Sequence, residues 1–253
     1  MPLGAGLSSS AALEVAVLRV LRAAFELELD DVKLALLGQR AENDFVGARC
    51  GIMDQMAASL ADATSALFLD TRSLESRRVP LPADADLAVI HSGVSHAISG
   101  GEYNTRRAEC EQAARLLDVP QLRDLSVSDA ARVNALPEPL NRRARHVLTE
   151  DARVLAAIGA LESNDLPRLG QLFDESHASM RDDFEVSVAD VDLLVALAQA
   201  QPDVFGARMT GGGFGGSIVV LARAGRGRQV AERVARVYAE RSGRQPTVLV
   251  PPA

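Results

Sequence analysis

A short loop of small residues that runs directly into an amphipathic helix is the feature that most restricts how this chain can fold. The loop, Pro2 to Ala11, reads PLGAGLSSSA, and apolar residues then recur at helical spacing through Phe25. Small side chains let backbone N–H groups approach an anion, and a following helix presents the positive end of its dipole there. We therefore predict a helix over Ser8 to Leu29 that either binds phosphate at its N-terminus or simply carries a serine cap after a glycine turn.

A second cluster of glycines lies near the end of the chain. Thr210 to Gly216 holds five glycines in seven positions between two predicted strands, Val204 to Met209 and Ile218 to Ala222. Ordering so many glycines is costly, so it is expected where the backbone passes very close to another group. A loop that faces phosphates would explain the cluster. A tight turn between strands is the alternative, although two glycines suffice for a turn.

Composition excludes several classes of protein. The 253 residues carry a net charge of −7, which provides no basic field for nucleic acid or an anionic membrane, so we expect small-molecule partners. Lys33 is the only lysine, whereas a Walker A loop and a pyridoxal enzyme each need a lysine at a defined place. Any phosphate must be held in another way.

Cysteine usage and apolar runs point to a cytoplasmic protein. Cys50 and Cys110 are far apart and do not form a C-x-x-C pair, so neither a disulfide framework nor a cysteine zinc site is expected. The four histidines lack zinc-ligand spacing. The apolar stretch from Leu13 to Phe25 contains charges at helical spacing and does not predict a membrane span. The first residues do not resemble a signal peptide.

The remaining pattern is α+β, with a soft boundary near Pro80 to Pro82. Early helices are predicted from an Asp30-Asp31 cap to about Asn43 and from Gly51 to Ala61. Further predicted strands are Ala66 to Asp70, Ser76 to Pro80, Leu87 to His91 and Thr247 to Val250. Further predicted helices are Glu102 to Leu117, Arg142 to Glu162, Leu166 to Met180, Val188 to Gln199 and Arg228 to Arg241.

A few polar residues stand out as candidates for chemistry. Glu42 ends the second predicted helix, Asp54 lies between apolar neighbours, and Tyr103 begins a helix after two glycines. Taken singly, Asp54 is more simply a partner of a helix dipole, and Tyr103 more simply a packing residue. The basic clusters Arg106-Arg107 and Arg142 to Arg145 are predicted to be solvated helix faces.

Together these segments resemble the GHMP small-molecule kinases and, within them, the galactokinase family. Pro2 to Val15 resembles the nucleotide loop, and Arg208 to Gly216 resembles the glycine-rich third motif. The narrower resemblance is carried by Ala41 to Gln55, Gly101 to Arg107 and Glu175 to Glu185. It implies the two-domain α+β GHMP kinase fold, with an incomplete ribosomal-protein-S5-like N-terminal domain that binds ATP over residues 1–80 and a ferredoxin-like α+β C-terminal domain over residues 81–253.

The resemblance also implies roles for single residues. The loop would wrap the ATP phosphates with Gly4, Ala5, Gly6, Leu7, Ser8, Ser9 and Ser10. Ser10 and Glu42 would coordinate Mg²⁺, a hard ion that takes oxygen ligands. Asp54 would be the catalytic base at the sugar C1 hydroxyl and would contact the substrate, as would Tyr103. The implied reaction converts ATP and D-galactose to ADP and galactose 1-phosphate.

One family motif has no counterpart here. The early pattern G-R-x-N-x-x-G-E-H-x-D-Y, which contributes sugar contacts, is not found, so we expect the sequence to lack about the first third of the usual protein. Two alternatives to a galactokinase remain: a GHMP kinase for a related sugar, and an ATP- and sugar-binding regulator with impaired turnover. Oligomeric state is not determined by the sequence, and a monomer is the expectation.

Overall fold

A computed structural model describes residues 6–47, 50–94 and 101–250. The chain divides into two compact units, Met1–Leu81 and Pro82–Ala253. The described ranges contain helices and two separate antiparallel sheets, and the predicted α+β class is confirmed. No helix in those ranges has both the length and the apolar character needed to cross a membrane.

The first unit is three helices followed by a β-hairpin. Its elements are α1 (Ser9–Ala24), α2 (Asp31–Ala41), a π-helical turn (Glu42–Val46), α3 (Met53–Leu60), β1 (Ser65–Leu69) and β2 (Ser76–Pro80). The start of α2 was predicted correctly, because the Asp30 carboxylate accepts the Lys33 N–H at 2.7 Å and caps the helix. The predicted end of α1 at Leu29 was wrong. The helix stops at Ala24, and Glu26 takes the left-handed conformation at φ 51°.

Burial in the first unit is limited. Three residues form its buried cluster, Ala35, Ile52 and Met56, with partly buried side chains of α2, α3 and the hairpin packed around them. The apolar stripe of α1, by contrast, remains 41 to 68% exposed at Leu13, Val17, Val20, Leu21 and Phe25. The helical period of α1 was predicted correctly, but most of its large apolar side chains are not covered by the described residues.

The second unit is built on a four-stranded antiparallel sheet with the order β4-β5-β3-β6. Its strands are β3 (Ala85–His91), β4 (Val204–Thr210), β5 (Ser217–Arg223) and β6 (Thr247–Leu249). In the centre of the sheet, Ala88 of β3 lies opposite Val220 of β5, and both are fully buried. The main core of the unit lies on these strands, with α8 and α9 packed against them.

Six helices belong to the second unit in the described ranges. They are α4 (Glu102–Leu116), α5 (Ala130–Asn134), α6 (Leu140–Glu162), α7 (Leu166–Asp182), α8 (Ala189–Gln199) and α9 (Gly227–Ser242). All were predicted except α5, which is too short to show a helical period. Helix α7 lies directly on β4, because Gly170 and Gly206 lack side chains. A Cβ atom on Gly170 would lie 2.0 Å from the carbonyl oxygen of Phe205.

A buried arginine joins three parts of the second unit. The Arg143 side chain is 2% exposed and donates hydrogen bonds to Glu109 of α4 at 2.7 Å, to Glu185 at 2.6 Å and to the Asp183 carbonyl at 2.6 Å. The prediction that this basic cluster is a solvated helix face was therefore wrong for Arg143. Its guanidinium group bonds to part-buried acceptors that no local sequence pattern reveals.

Candidate active site

The N-terminus of α1 has the backbone form expected of an anion-binding loop. Gly6 has φ 70°, and Ser8 adopts the left-handed conformation at φ 56° and ψ 43°. Ser8 occupies the N-cap position, yet its side chain forms no capping hydrogen bond. The positive end of the helix dipole is therefore not neutralised by a serine cap, which favours the phosphate interpretation over the cap interpretation. Gly4 and Ala5 lie outside the described residues, while Leu7, Ser9 and Ser10 lie within them.

The two predicted metal ligands, Ser10 and Glu42, meet beside this N-terminus. The Ser10 hydroxyl donates to Glu42 Oε2 at 2.7 Å, although the residues are 32 positions apart. Glu14, one turn further along α1, has its Oε1 atom 3.5 Å from the same hydroxyl. Burial raises the pKa of Glu14, and the nearby Glu42 carboxylate raises it further by hydrogen bonding and like charge. A hydroxyl and two carboxylates thus share one small region.

This oxygen cluster fits a magnesium ion that also binds phosphate. No three His, Cys, Asp or Glu side chains in the described part of the chain gather closely enough to hold a metal by themselves. Mg²⁺ usually takes one or two protein carboxylates and leaves its other positions to substrate phosphates and water. Ser10 and Glu42 supply oxygen donors next to a candidate phosphate site. A divalent cation there would also relieve the repulsion between Glu42 and Glu14.

Asp54 lies in the first turn of α3 and is half-buried. Its neighbours Ile52 and Met56 belong to the core of the unit, so the start of α3 is anchored by burial. The next residue, Gln55, is 1% exposed and donates its amide to Glu14 Oε2 at 3.2 Å. The structure therefore connects the helix that carries Asp54 to the Ser10 cluster. Sequence reasoning missed Glu14, and its i,i+4 spacing from Ser10 was the only available signal.

The segment before α3 is fixed to α2 through Cys50. The Cys50 N–H donates to the Asn43 side chain at 3.1 Å, and Gln39 donates to the Cys50 carbonyl at 3.2 Å. Burial raises the pKa of the Cys50 thiol, and the Glu42 carboxylate adds to the shift. The thiol is therefore protonated near neutral pH, and Cys50 is a structural residue rather than a nucleophile.

Tyr103 belongs to the second unit, in the first turn of α4 behind Gly101, which has φ 73°. It is 41% exposed, so its ring is not a core residue. Its side chain is therefore partly accessible among the described residues. Its contact with a sugar stays a prediction.

The glycine cluster between β4 and β5 has a packing explanation. A Cβ atom on Gly213 would lie 2.5 Å from the Val186 carbonyl, and one on Gly215 would lie 2.8 Å from the Val94 carbonyl. Both glycines also have positive φ. The expectation that backbone passes very close to another group is confirmed at these two positions. The neighbour is the unit's own backbone, so a phosphate is not needed to explain them.

Comparison with known families agrees with the geometry. A family model described as the GHMP kinases N terminal domain matches residues 1–62, and the GHMP kinases C terminal model matches residues 157–240. The chain belongs to the GHMP kinase family. The cluster at Ser10 and Glu42 lies inside the first matched region, and strands β4 and β5 lie inside the second.

Within this family the chain is similar to galactokinases. It is 47% identical over 248 residues to the galactokinase of Pasteurella multocida, covering 96% of this chain and 64% of that protein. It is 49% identical over 256 residues to the galactokinase of Chloroflexus aurantiacus, covering 99% of this chain and 66% of that protein. The chain therefore spans slightly less than two thirds of the length of these relatives.

Solved structures give the same result for the fold. A crystal structure of Lactococcus lactis galactokinase complexed with galactose superimposes with a TM-score of 0.93 at 35% identity, over 99% of this chain and 66% of that one. A mevalonate kinase from L. major matches with a TM-score of 0.63 at 20% identity, which supports the shared fold alone.

Proposed function

We propose that this GHMP kinase transfers the γ-phosphoryl group of ATP to the C1 hydroxyl of D-galactose and releases ADP and galactose 1-phosphate. The observation that carries the proposal is the Ser10–Glu42 contact beside the uncapped N-terminus of α1, in a chain 46 to 49% identical to galactokinases. Support for galactose rather than a related sugar comes from the galactokinase structure with bound galactose.

Residues 1–80 would form the ATP-binding domain in this proposal, with the phosphates on the loop from Gly4 to Ser10. Backbone N–H groups and the dipole of α1 would stabilise the phosphate charge, which replaces the lysine that the loop lacks. Ser10 and Glu42 would hold Mg²⁺, which neutralises charge on the transferred group. Phosphoryl transfer depends mainly on such positioning and charge stabilisation.

Asp54 would act on the acceptor side of the reaction. A half-buried carboxylate at the anchored start of α3 is suited to orient the C1 hydroxyl of the sugar and to accept its proton. Tyr103, exposed at the start of α4 in the domain over residues 81–253, would contact the sugar. We also propose that the protein is cytoplasmic, that its partners are small-molecule substrates and that it is a monomer.

The test is galactose-dependent ADP production by the purified chain. Asp54→Asn should reduce kcat by about 10²-fold or more while leaving Mg·ATP affinity unchanged, because only general-base catalysis is lost. The matched control is Asp118→Asn, at an exposed residue with φ 55° that asparagine also tolerates. If Asp54→Asn leaves kcat unchanged and weakens galactose binding, Asp54 binds the sugar but is not the catalytic base.

A second experiment addresses the metal. Ser10→Ala combined with Glu42→Gln should weaken Mg·ATP binding measured by calorimetry, because both oxygen ligands are lost. Unchanged Mg·ATP affinity in the folded double variant would overturn the metal assignment. Wild-type protein that binds Mg·ATP and galactose without turnover would indicate the regulator instead of the enzyme.

A further inference from the structure

Glu14 links the predicted metal ligands to the helix that carries Asp54. One of its carboxylate oxygens lies 3.5 Å from the Ser10 hydroxyl, and the other accepts the Gln55 amide at 3.2 Å. Ser10 in turn donates to Glu42 at 2.7 Å. Since Gln55 directly follows Asp54 in α3, a single side chain contacts both the N-terminal turn of α1 and the first turn of α3.

The surroundings of Glu14 hold this contact in one arrangement. Gln55 is 1% exposed, and its Oε1 atom has no hydrogen-bond partner among the described residues, so the bond to Glu14 fixes the orientation of its amide. Gly38 of α2 lies against the pair. A Cβ atom on Gly38 would be 3.2 Å from Gln55 Cγ and 3.3 Å from Glu14 Oε2. The chain therefore leaves just enough space for a carboxylate and an amide to meet at this point.

We propose, on the basis of the function proposed above, that Glu14 is a positioning residue for the phosphoryl transfer. It does not touch the substrate. It fixes the Ser10 hydroxyl relative to Glu42 and, through Gln55, fixes the first turn of α3 where Asp54 lies. Misplacing reacting groups by about 1 Å can cost on the order of 10²-fold in rate, so a link of this kind affects catalysis without taking part in it.

Exchanging the two side chains provides the test. Gln55→Glu places a second carboxylate against Glu14, so we expect kcat and Mg·ADP affinity each to fall about tenfold. Glu14→Gln should be milder, within about threefold of wild type, because an amide can accept one hydrogen bond and donate another. The double variant restores an amide–carboxylate pair with reversed polarity. It should recover to the level of Glu14→Gln alone. Glu28→Gln, at an exposed residue beyond the end of α1, is the matched control.

The outcomes separate this inference from the proposed function. Wild-type protein that binds Mg·ADP but does not phosphorylate galactose would refute the proposed function. The Mg·ADP affinities of the four variants would still test the role of Glu14. An active wild type whose double variant is as impaired as Gln55→Glu would overturn the inference alone. Variants with altered thermal stability but unchanged kcat and Mg·ADP affinity would also overturn it, since Glu14 would then be a structural residue only. A wild type that does not bind Mg·ADP would refute both.

Discussion

The two units of this chain differ in how much of their apolar surface they bury. In the second unit, α8 and α9 pack on the sheet, and residues such as Leu194, Ile218 and Val234 are fully buried. In the first unit, α1 has an equally clear apolar period, yet Val20 and Phe25 remain 67 and 68% exposed. An amphipathic pattern thus specifies a helix, but it does not ensure that the helix finds a partner within its own unit.

Their polar interiors differ as well. The second unit buries an ion-pair network around Arg143 that joins α4, α6 and the segment after α7. The first unit gathers Ser10, Glu14, Glu42 and Gln55 beside an uncapped helix end. Opposite charges paired across several elements stabilise one arrangement, whereas crowded carboxylates suit a ligand that brings positive charge. The second unit thus holds a structural ion-pair network, and the first unit holds the candidate metal ligands.

The largest expected effect is at the close approach of α7 to β4. Gly170→Ala should destabilise the second unit by more than about 4 kcal/mol or prevent its folding, because the new methyl group meets backbone that cannot move aside. Gly159→Ala in α6 is the control, since nothing lies within 4 Å of that position. Urea unfolding followed by circular dichroism measures both. A Gly170→Ala variant within about 1 kcal/mol of wild type would contradict the close packing of the second unit.

Removing a buried arginine should be almost as severe. Arg143→Met removes the buried guanidinium from Glu109 and Glu185, although Arg106 still pairs with Glu109 and Arg142 with Glu185. We therefore expect a loss of about 3 kcal/mol in the free energy of unfolding. Arg22→Met in the first unit removes a part-exposed ion pair with Asp31 and should cost less than about 1 kcal/mol. Equal losses in the free energy of unfolding from the two substitutions would contradict this difference between the polar interiors of the two units.

Truncating one leucine in each unit tests the apolar contrast directly. Leu194→Ala should cost about 2–5 kcal/mol, because the side chain is fully buried and leaves a cavity. Leu13→Ala, at a residue that is 64% exposed, should change stability by no more than about 0.5 kcal/mol. Unfolding of both variants by urea gives the comparison. A large loss at Leu13 would indicate that the stripe of α1 is covered in solution.

The smallest expected effect is a pH dependence in the second unit. Burial lowers the pKa of His146 from 6.5 to about 4, while its Nδ1 atom contacts the Ser179 hydroxyl at 2.9 Å. The unfolded chain therefore takes up a proton at higher pH than the folded chain. Stability that is present above pH 6.5 is lost as the pH falls towards 4, by at most about 3 kcal/mol. His146→Gln should flatten this dependence between pH 7 and 4. An unchanged slope would contradict the burial effect.

Local rules explain which parts of the fold were predictable. The cap at Asp30 marks the start of α2, and strand β2 was predicted from Ser76 to Pro80 as it is found, because short-range patterns determine both. The early end of α1 at Ala24 depends on the backbone turn at Glu26, and the burial of Arg143 depends on partners about 40 residues away. Sequence patterns do not contain that information.

The candidate site also contains one contact that the sequence predicted and one that only the structure shows. The pairing of Ser10 with Glu42 follows from the family resemblance and is found at hydrogen-bond distance. The contact between Glu14 and Gln55 spans 41 residues and became visible only when α1 and α3 were placed together. The catalytic role of Asp54 and the sugar contact of Tyr103 depend on chemistry in a bound complex. They stay predictions.

The strand order of the second unit has a consequence for how the chain is made. Strand β3 is synthesised first, yet its neighbours are β5 and β6, and the Asp86 carboxylate at its start accepts the Gly227 N–H from 141 residues further along. At roughly 5–20 residues per second, a ribosome needs on the order of ten seconds to supply that partner. During this interval the nascent β3 lacks its neighbouring strands. We therefore expect the sheet to close only after β6 has been made.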